Sequence, residues 1–487
     1  MRKLLLATVA ALGASMGAAT VADAQTFPTP GTVTIRLNGR FRFYAGVVSD
    51  RVANNNAAGS TTGIVGPTGQ GTLTGQNKQA NYSFGNYGRL YPGFDGVSAN
   101  GLKYGASMEI RQDQSSGAGG GTFGSVGQQA RARSGLYFQR EWGYIGTDQL
   151  GTLRLGSTDQ PSSLYMTGNF ENFNDGGFNG DAPGFAAGSL IVPWPFADGG
   201  SYYSTTKAIY LSPQLYGFDF GVSYEPSTAN LSNGNGCNAA SPVGTNFVNS
   251  NGAFTTATGA NGQNVAGPGC NRLSSSPVGG ESARRRNTVD ALLRYRGTFG
   301  SFGIAATGGY IGGSHVLDNS GQAFSNNPLA AGGARPNFDG VSVGDFGLAV
   351  TYGGFSVGGK YMYGRFNGAL GTLVAKGLPD GEAILGGFSY TTGPVVFGAH
   401  YLNVKTAGDA GNAFFGRQRR EQGIAAGATY SLAPGLSLFA SYLYSERKQN
   451  GLNFITGQGV TAASPGGNAF NNKVSAQVFA VGTGFSW

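Results

Sequence analysis

The strongest constraint on this chain is a strict alternation of apolar and polar side chains close to its N-terminus. Between Val33 and Ala45 the odd positions hold Val, Ile, Leu, Gly, Phe, Phe and Ala, whereas the even positions include Arg36, Arg40 and Arg42. A period of two residues is typical of a β-strand whose faces meet different surroundings. We therefore expect one face of this strand to meet an apolar medium and the other to meet water.

The same pattern recurs along the chain and predicts an all-β fold. Fifteen further strands are predicted at 80–95, 101–113, 135–147, 151–158, 201–213, 216–225, 285–297, 300–311, 341–352, 354–366, 381–391, 394–406, 419–432, 435–447 and 472–487. Tight turns alternate with long segments near 49–79, 114–134, 159–200, 226–284, 312–340, 367–380, 407–418 and 448–471. Sixteen such strands predict an antiparallel transmembrane β-barrel with short periplasmic turns and long extracellular loops.

The composition excludes the main alternatives. Charged residues make up 11% of the chain, against about 25% in ordinary soluble domains. Glycine accounts for 87 of 487 residues but lacks the triplet period of collagen, and 23 Tyr with 32 Phe are too many for a disordered chain. After the first 25 residues no apolar run reaches 18, which argues against a helical membrane protein.

A soluble β-sandwich or propeller is the remaining alternative, and the predicted third strand disfavours it. One face of that strand carries Tyr104, Met108 and Ile110. The other face carries Lys103, Glu109, Arg111 and Asp113. One face thus carries large apolar and aromatic side chains, and the other face carries charged side chains. This arrangement favours a strand that lies between lipid and water.

The N-terminus predicts export. Arg2 and Lys3 precede an apolar stretch that runs to about Val21, and Ala22-Asp23-Ala24 has the small-x-small pattern of a signal peptidase site. We predict a signal peptide at 1–24 and a single outer-membrane barrel domain at 25–487.

A barrel of sixteen strands is too wide for its own side chains to fill, so it encloses water. Alternation along the strands assigns many basic residues to the inner face, where we expect them to line a pore. These are Arg36, Arg40, Arg42, Lys103, Arg111, Arg154, Arg286, Arg294, Arg296, Lys360 and Arg419. Fewer acidic residues share the same faces, namely Glu109, Asp113, Asp290 and Glu421.

The third long segment, 159–200, has the opposite charge. It contains no Lys or Arg and five acidic residues, Asp159, Glu171, Asp175, Asp181 and Asp198. If this segment folds into the barrel, its carboxylates face the arginines across a narrow gap and set an ion preference there. The alternative is that the acidic residues decorate an external loop while the arginines line a wide pore.

The whole mature chain resembles Gram-negative trimeric general porins. The resemblance rests on the signal peptide, the hairpin-connected strands, the segment Gly151-Thr152-Leu153-Arg154-Leu155-Gly156 before the third loop, and the ending Phe485-Ser486-Trp487. It implies that the third loop folds into the lumen, that three barrels form a homotrimer, and that Trp487 signals to the barrel-insertion machinery. The chain departs from the family in three ways: Ser157 follows Gly156 in place of Arg, the Pro-Glu tip of the third loop is missing, and Trp replaces the usual terminal Phe.

The predicted function is a water-filled outer-membrane channel for passive diffusion of small hydrophilic solutes and ions. A substrate-selective channel, for sugars or an anion such as phosphate, is the leading alternative. Aromatic residues of the third loop could stack on sugars or pack the loop against the wall. They are Phe170, Phe173, Phe178, Trp194 and Phe196. A barrel that displays 226–284 as an adhesive surface is the second alternative.

Other chemistry finds little support. Cys237 and Cys270 are the only cysteines and are expected to form a disulfide after export. His315 and His400 are the only histidines, they are followed by Val316-Leu317 and Tyr401-Leu402, and His315 is predicted in a surface loop. We therefore predict no enzyme, no metal and no cofactor.

Two short motifs suggest phosphate-containing ligands. The segment 354–361 resembles a P-loop but has Tyr361 where Ser or Thr is required. The Arg284-Arg285-Arg286 run is read as a solvated rim or a lipopolysaccharide contact rather than a nucleic-acid site. The predicted partners are thus outer-membrane lipid and lipopolysaccharide, with no nucleic acid.

Overall fold

Sixteen antiparallel strands close into one barrel in the computed structural model. It describes residues 28–50, 81–113, 136–169, 205–227, 285–315, 339–366, 377–408, 419–449 and 472–487, with Phe173, Phe178, 182–186, Val192, Val374 and short β-segments between them. Every barrel strand pairs with its sequence neighbour, and the last pairs with the first, from Arg40 opposite Ser486 to Asp50 opposite Ala476. The predicted sixteen-stranded antiparallel barrel is confirmed.

The barrel strands are numbered in chain order. The first eight are β1 (Thr32–Asp50), β2 (Tyr82–Val97), β3 (Lys103–Asp113), β4 (Tyr137–Thr147), β5 (Gly151–Ser157), β6 (Thr206–Leu211), β7 (Phe218–Ser227) and β8 (Arg285–Phe299). The second eight are β9 (Phe302–His315), β10 (Ser342–Tyr352), β11 (Phe355–Arg365), β12 (Gly381–Thr392), β13 (Val395–Thr406), β14 (Arg419–Ala433), β15 (Leu436–Lys448) and β16 (Lys473–Ser486).

Two strands differ clearly from their predicted lengths. The first strand extends five residues past Ala45 to Asp50, because its pairing with β2 and β16 continues beyond the alternating segment. The sixth strand covers only six residues, Thr206–Leu211. The residue before this strand belongs to the buried base of a long loop, and the residues after it form a turn.

The outer face of the barrel is apolar, as lipid contact requires. Alternate β1 residues such as Ile35 and Phe43 are exposed on the outer face, whereas Tyr44 is buried and lies on the inner face with Arg40 and Arg42. Aromatic rings meet across strands near the short turns, with Phe302 and Tyr352 centroids 4.8 Å apart. Such a ring of aromatic side chains is typical of a membrane interface.

Short turns close one end of the barrel. Two-residue turns separate β10 from β11 and β12 from β13, and Gly353 and Gly393 adopt φ of 57° and 52° there. A positive φ at the first turn residue matches the twist of the flanking strands and favours glycine. The long connections leave from the other end.

Helical structure is minor in the described part of the chain. The helix α1 covers Pro161–Leu164, and a 3₁₀ turn covers Ala182–Phe185. No described helix is long and apolar enough to cross a membrane. Three short strand pairs lie outside the barrel sheet: Asn246–Val248 with Phe254–Thr256, Ser274–Ser275 with Leu317–Asp318, and Phe324–Ser325 with Arg335–Pro336.

Several predicted features lie outside the described residues. They are the signal peptide 1–24, both cysteines Cys237 and Cys270, and most of the 226–284 segment. Those interpretations stay predictions.

Candidate functional site: the lumen of the barrel

The third long connection, residues 158–205, is here named the third loop, and its described residues lie against the inner face of the barrel. Phe178, Ala182, Ala186 and Val192 belong to one buried apolar cluster. The strands β9–β16 supply most of its other members, including Ile311, Val343, Met362, Leu385, Leu402, Ala425, Leu443 and Val478. Because these inward side chains are apolar, the loop covers this half of the inner wall rather than standing free in water.

Glycines in the wall make room for the aromatic rings of the third loop. A Cβ on Gly398 would come within 2.5 Å of the Phe173 ring, and one on Gly423 within 2.5 Å of the Phe178 ring. His400 lies between the two rings, 5.7 Å from Phe173 and 5.3 Å from Phe178. Phe173 and Phe178 are 1% and 4% exposed, so these two aromatics pack the loop and are not available to stack on a sugar. Phe170, Trp194 and Phe196 lie outside the described residues.

Hydrogen bonds fix the third loop at several points. The Lys207 ammonium donates to the carbonyls of Thr158 and Thr205, at 2.6 and 2.8 Å, and so joins the two ends of the loop. The backbone N–H of Ser162, in α1, donates to Asp290 of β8 at 3.0 Å. Farther along, Thr429 of β14 donates to the Phe173 carbonyl at 2.6 Å.

The other half of the inner wall, from β1 to β8, is rich in arginine. Its arginines are Arg36, Arg40, Arg42, Arg89, Arg111, Arg140, Arg154, Arg294 and Arg296. Fewer carboxylates reach the same region. Those in ion pairs with these arginines are Asp95, Glu109, Asp159 and Asp219.

Each of these wall carboxylates is held by arginine. Glu109 accepts from Arg111 at 2.7 Å and lies 3.3 Å from Arg140 and 3.8 Å from Arg89. Its side chain is 5% exposed. Since a carboxylate among three arginines is more than neutralised, this cluster keeps a net positive charge.

Asp219 and Asp95 show the same arrangement. The Arg294 guanidinium donates to both oxygens of Asp219, at 2.9 and 2.6 Å, and Arg296 donates to one of them at 3.0 Å. Asp95 accepts from Arg36 Nη2 at 3.3 Å and from the hydroxyl of Tyr144, and its Oδ2 lies 2.5 Å from Arg36 Nε in an ion pair. Bidentate pairing fixes the plane of a guanidinium, so Arg294 is held in one orientation.

Aromatic rings support the remaining faces of several guanidinium groups. Arg294 lies 3.8 Å from the centroid of Tyr165, a third-loop residue. Arg154 lies 4.4 Å from Trp142, and Arg42 lies 5.0 Å from Phe439. Contacts of this kind stabilise a cation without removing its charge, so the wall stays basic.

The third loop supplies one described carboxylate to this region. Asp159 lies 3.2 Å from Arg140 and is largely buried. Burial raises the pKa of the Asp159 carboxyl above its ordinary value, while the charge of Arg140 opposes that change. The other acidic residues predicted here, Glu171, Asp175, Asp181 and Asp198, lie outside the described residues.

Lys360 differs from the expectation that it lines the pore. It lies on an inward position of β11, but its ammonium contacts Asp345 at 2.6 Å and both side chains are essentially inaccessible, at 1% and 0%. The third loop covers this region, because its Gly168 lies in contact with the backbone of Gly359 and Leu348. Lys360 thus neutralises a buried carboxylate and does not meet the water of the lumen.

The other predicted basic residues lie near the two ends of the barrel. Lys103 contacts Asp148 of a short turn at 2.5 Å. Arg419, at the long-loop end of β14, donates to Gln449 at 2.8 Å. Arg286 stands at an irregularity of the β8 and β9 pairing, between Arg286 and Val289.

The alternation of side chains along the strands did not lead to a prediction that Arg89, Arg140 and Lys207 face the inside of the barrel. The signal for Arg89 is present, since β2 alternates Phe84, Leu90 and Phe94 with inward polar residues. Arg140 follows a β-bulge: Glu109 pairs with Arg140 but Ile110 pairs with Phe138, so one extra residue reverses the parity of β4.

The described residues contain no group of three or more His, Cys, Asp or Glu side chains that could hold a metal ion. His400 is buried against the third loop, and His315 is the last residue of β9 rather than part of a loop as predicted.

Comparisons with known proteins agree with this architecture. The sequence matches the family model for Gram-negative porins over residues 7–450. The anion-selective porin from Comamonas acidovorans superposes with a TM-score of 0.50 at 14% identity, over 94% of this chain and 100% of that chain. OmpT of Vibrio cholerae, in its trimer form, gives 0.45 at 14% identity, over 94% and 100% of the two chains. No curated protein sequence matches this chain. By the family match over most of its length, the chain belongs to the Gram-negative porin family.

Proposed function

We propose that this porin favours small hydrophilic anions over cations of the same size. The protein is an outer-membrane channel for passive diffusion, as its family and its closed sixteen-stranded barrel establish. What the family leaves open is the preference among solutes. That preference depends on the charges that a solute meets inside the barrel.

The arginine-rich half of the inner wall carries the proposal. Four of its described carboxylates, Asp95, Glu109, Asp159 and Asp219, lie in ion pairs with arginine. Two more, Glu225 and Asp290, are buried and accept hydrogen bonds from Thr205 and Ser162. Arg154 has no carboxylate within ion-pair distance among the described residues, and Trp142 holds its guanidinium in place. An anion that passes this wall therefore meets a positive potential, while a cation is repelled.

Pairing also weakens the attraction for cations that loop carboxylates facing the arginines across a gap would supply. Asp159, the described acid of the third loop, lies against Arg140 instead of facing the arginines across open water. A neutralised loop carboxylate attracts cations less than a free one, so the arginines are expected to dominate.

Swelling of proteoliposomes in size-matched solutes tests the proposal. Glucose, gluconate and glucosamine have nearly the same size but carry no charge, a negative charge and a positive charge. We expect the entry rate to fall in the order gluconate, glucose, glucosamine, with the differences shrinking as salt is added. Equal rates, or faster entry of glucosamine, would contradict an anion preference.

The substrate-selective alternative for sugars receives less support. Phe173 and Phe178 are buried against the wall, and the rings of Tyr165 and Trp142 each carry an arginine. The described lumen therefore offers charge rather than free aromatic faces. The family indicates a channel rather than an enzyme.

We further propose export through cleavage after Ala24, assembly as a homotrimer, and recognition of Trp487 by the barrel-insertion machinery. Family membership supports all three, and the Trp487 side chain lies exposed beside Gly39 at the closure of β1 and β16. N-terminal sequencing of the mature protein and its mass in detergent test the first two. Deletion of Trp487 is expected to slow membrane insertion.

A further inference from the structure

A row of cations crosses the outer face of the barrel at the long-loop end. Backbone pairing places Lys405 opposite Arg420, Arg420 opposite Lys448, and Lys448 opposite Lys473, across the neighbouring strands β13–β16. We name these four residues the cation row. Its side chains are exposed and alternate with inward residues such as Arg419 and Val474.

Placing like charges directly opposite each other in a sheet is unfavourable. Among the described residues, two carboxylates form ion pairs with the cation row: Glu382 lies 3.6 Å from Lys405, and Glu446 lies 3.1 Å from Lys473. The two central residues, Arg420 and Lys448, have no ion pair within the part of the chain that the structure describes. The row therefore keeps a net positive charge at its centre, which an anionic partner would offset.

The level of the row along the strands indicates what this partner is. Tyr401 and Tyr444 share its outer face, four residues closer to the barrel centre. Tyrosines on the outer face of a barrel mark the membrane interface. Four residues of strand rise about 13 Å, or roughly 10 Å in height after the tilt of a barrel strand, so the row lies at the level of lipid headgroups.

A layer of amides and carboxylates separates the cations from the tyrosines. Asn403 donates to the Tyr401 hydroxyl at 3.1 Å, and Gln422 donates to Glu446 at 3.2 Å. Tyr444 also donates to Glu446, at 2.9 Å. The outer face thus passes from apolar through hydrogen-bonding to cationic side chains, which is the order in which a lipid changes from chain to phosphate.

We propose that the cation row binds the headgroup of a lipid that carries two or more phosphate groups, as lipopolysaccharide does, in the leaflet at the long-loop end. Three strand spacings make the row about 14 Å long, more than one phosphate can cover. Lysine and arginine both bind phosphate oxygens, and adjacent strands bring two cations to the same phosphate. This inference concerns the outer face and does not depend on which solutes pass the lumen.

Native mass spectrometry of the full mature protein in detergent tests the proposal. The protein is titrated with bis-phosphorylated lipid A, with dephosphorylated lipid A and with phosphatidylglycerol. We expect Arg420→Gln to weaken binding of the bis-phosphorylated lipid on the order of fivefold, and the R420Q/K448Q variant to weaken it further. Lys103→Gln removes the same charge at the opposite end and is expected to leave this binding unchanged.

Glu446→Gln provides a test of opposite sign. It removes a negative charge beside the row but keeps groups that hydrogen-bond Gln422 and Tyr444, so binding should tighten. Dephosphorylated lipid A should bind every variant equally.

Three results would overturn the proposal. One is R420Q/K448Q protein, folded by its β circular dichroism, that retains the affinity of the natural protein for bis-phosphorylated lipid A. Another is phosphatidylglycerol that binds as tightly as the bis-phosphorylated lipid. A third is a change in oligomeric state without a change in lipid affinity, which would make the row an interface between copies of the chain.

Discussion

The surroundings of Arg154 explain why its positive charge is expected to attract anions in the lumen. It lies on an inward position of β5, its guanidinium stacks on Trp142, and its Nε is buried without a hydrogen-bond partner in the described structure. The neighbouring arginines Arg294 and Arg140 each share a carboxylate, whereas Arg154 shares none at ion-pair distance among described residues. Its charge is therefore the least compensated of the three.

Replacing Arg154 by Gln is expected to reduce the anion preference. A unit charge about 7 Å from a passing ion in water contributes about 0.6 kcal/mol, a factor of two to three in local ion concentration. We predict that the anion-to-cation permeability ratio, from zero-current potentials in a planar bilayer, falls at least twofold. Lys103→Gln serves as the control, because Asp148 already neutralises Lys103 and the expected change is smaller. A ratio that Arg154→Gln leaves unaltered would contradict this role.

Asp159 is expected to make the selectivity depend on pH. Burial raises its pKa, so it takes up a proton at higher pH than an exposed aspartate, whose pKa is about 3.9. Protonation removes the negative charge of Asp159 beside Arg140, and the anion preference should therefore rise as the pH falls from neutral. Asp159→Asn should show this higher preference already at neutral pH and lose that part of the pH dependence. The measurement is the permeability ratio against pH; identical profiles for both proteins would disprove the assignment.

The sequence predicted the faces of many residues but not their accessibility. Alternation assigned Arg36, Arg154 and Lys360 to one kind of position, because face parity is a local property of a strand. Accessibility depends on which half of the wall the third loop covers, and that loop comes from a distant part of the chain. Lys360 is therefore fully buried while Arg154 stays partly exposed, a difference that no local pattern contains.

At the level of elements, the third loop depends on space left by the wall. Gly423 stands where the Phe178 ring packs, so a larger side chain there must displace the ring. We expect Gly423→Val to destabilise the barrel by about 1–3 kcal/mol in urea unfolding. It should also increase open-channel current noise, because the Phe178 ring no longer packs the third loop against the wall. Gly386→Ala is the control, since nothing lies within 4 Å of a Cβ at that position. Equal stability and current noise in both variants would show that Gly423 is not needed for the third loop to pack against the wall.

The cation row also predicts an effect on stability. Lys448 faces Arg420 on one side and Lys473 on the other. Because like charges on paired strands repel, Lys448→Gln should stabilise the detergent-solubilised barrel by a few tenths of a kcal/mol in the absence of lipid. The gain, measured by urea unfolding, should shrink at high salt, where the repulsion is screened. A loss of stability at low salt would contradict the repulsion.

For the whole molecule, the strand pattern was sufficient to predict the architecture. Sixteen alternating segments, joined by short and long connections in turn, leave a closed antiparallel barrel as the arrangement without unpaired edges in lipid. The length of individual strands was less predictable: β6 begins only at Thr206, because the third loop ends at Thr205 and its base is fixed there by Lys207. The bulge beside Arg140 was equally invisible, since an extra residue in a strand leaves composition and spacing almost unchanged.

The central claim is that the arginine-rich half of the lumen sets the ion preference of an open channel. The zero-current potential of the purified natural protein in a planar bilayer, under a tenfold gradient of potassium chloride, tests it most directly. We predict stable conductance steps and a potential whose sign shows that chloride passes more readily than potassium. A potential of the opposite sign would contradict the account and show that the acidic residues of the third loop dominate.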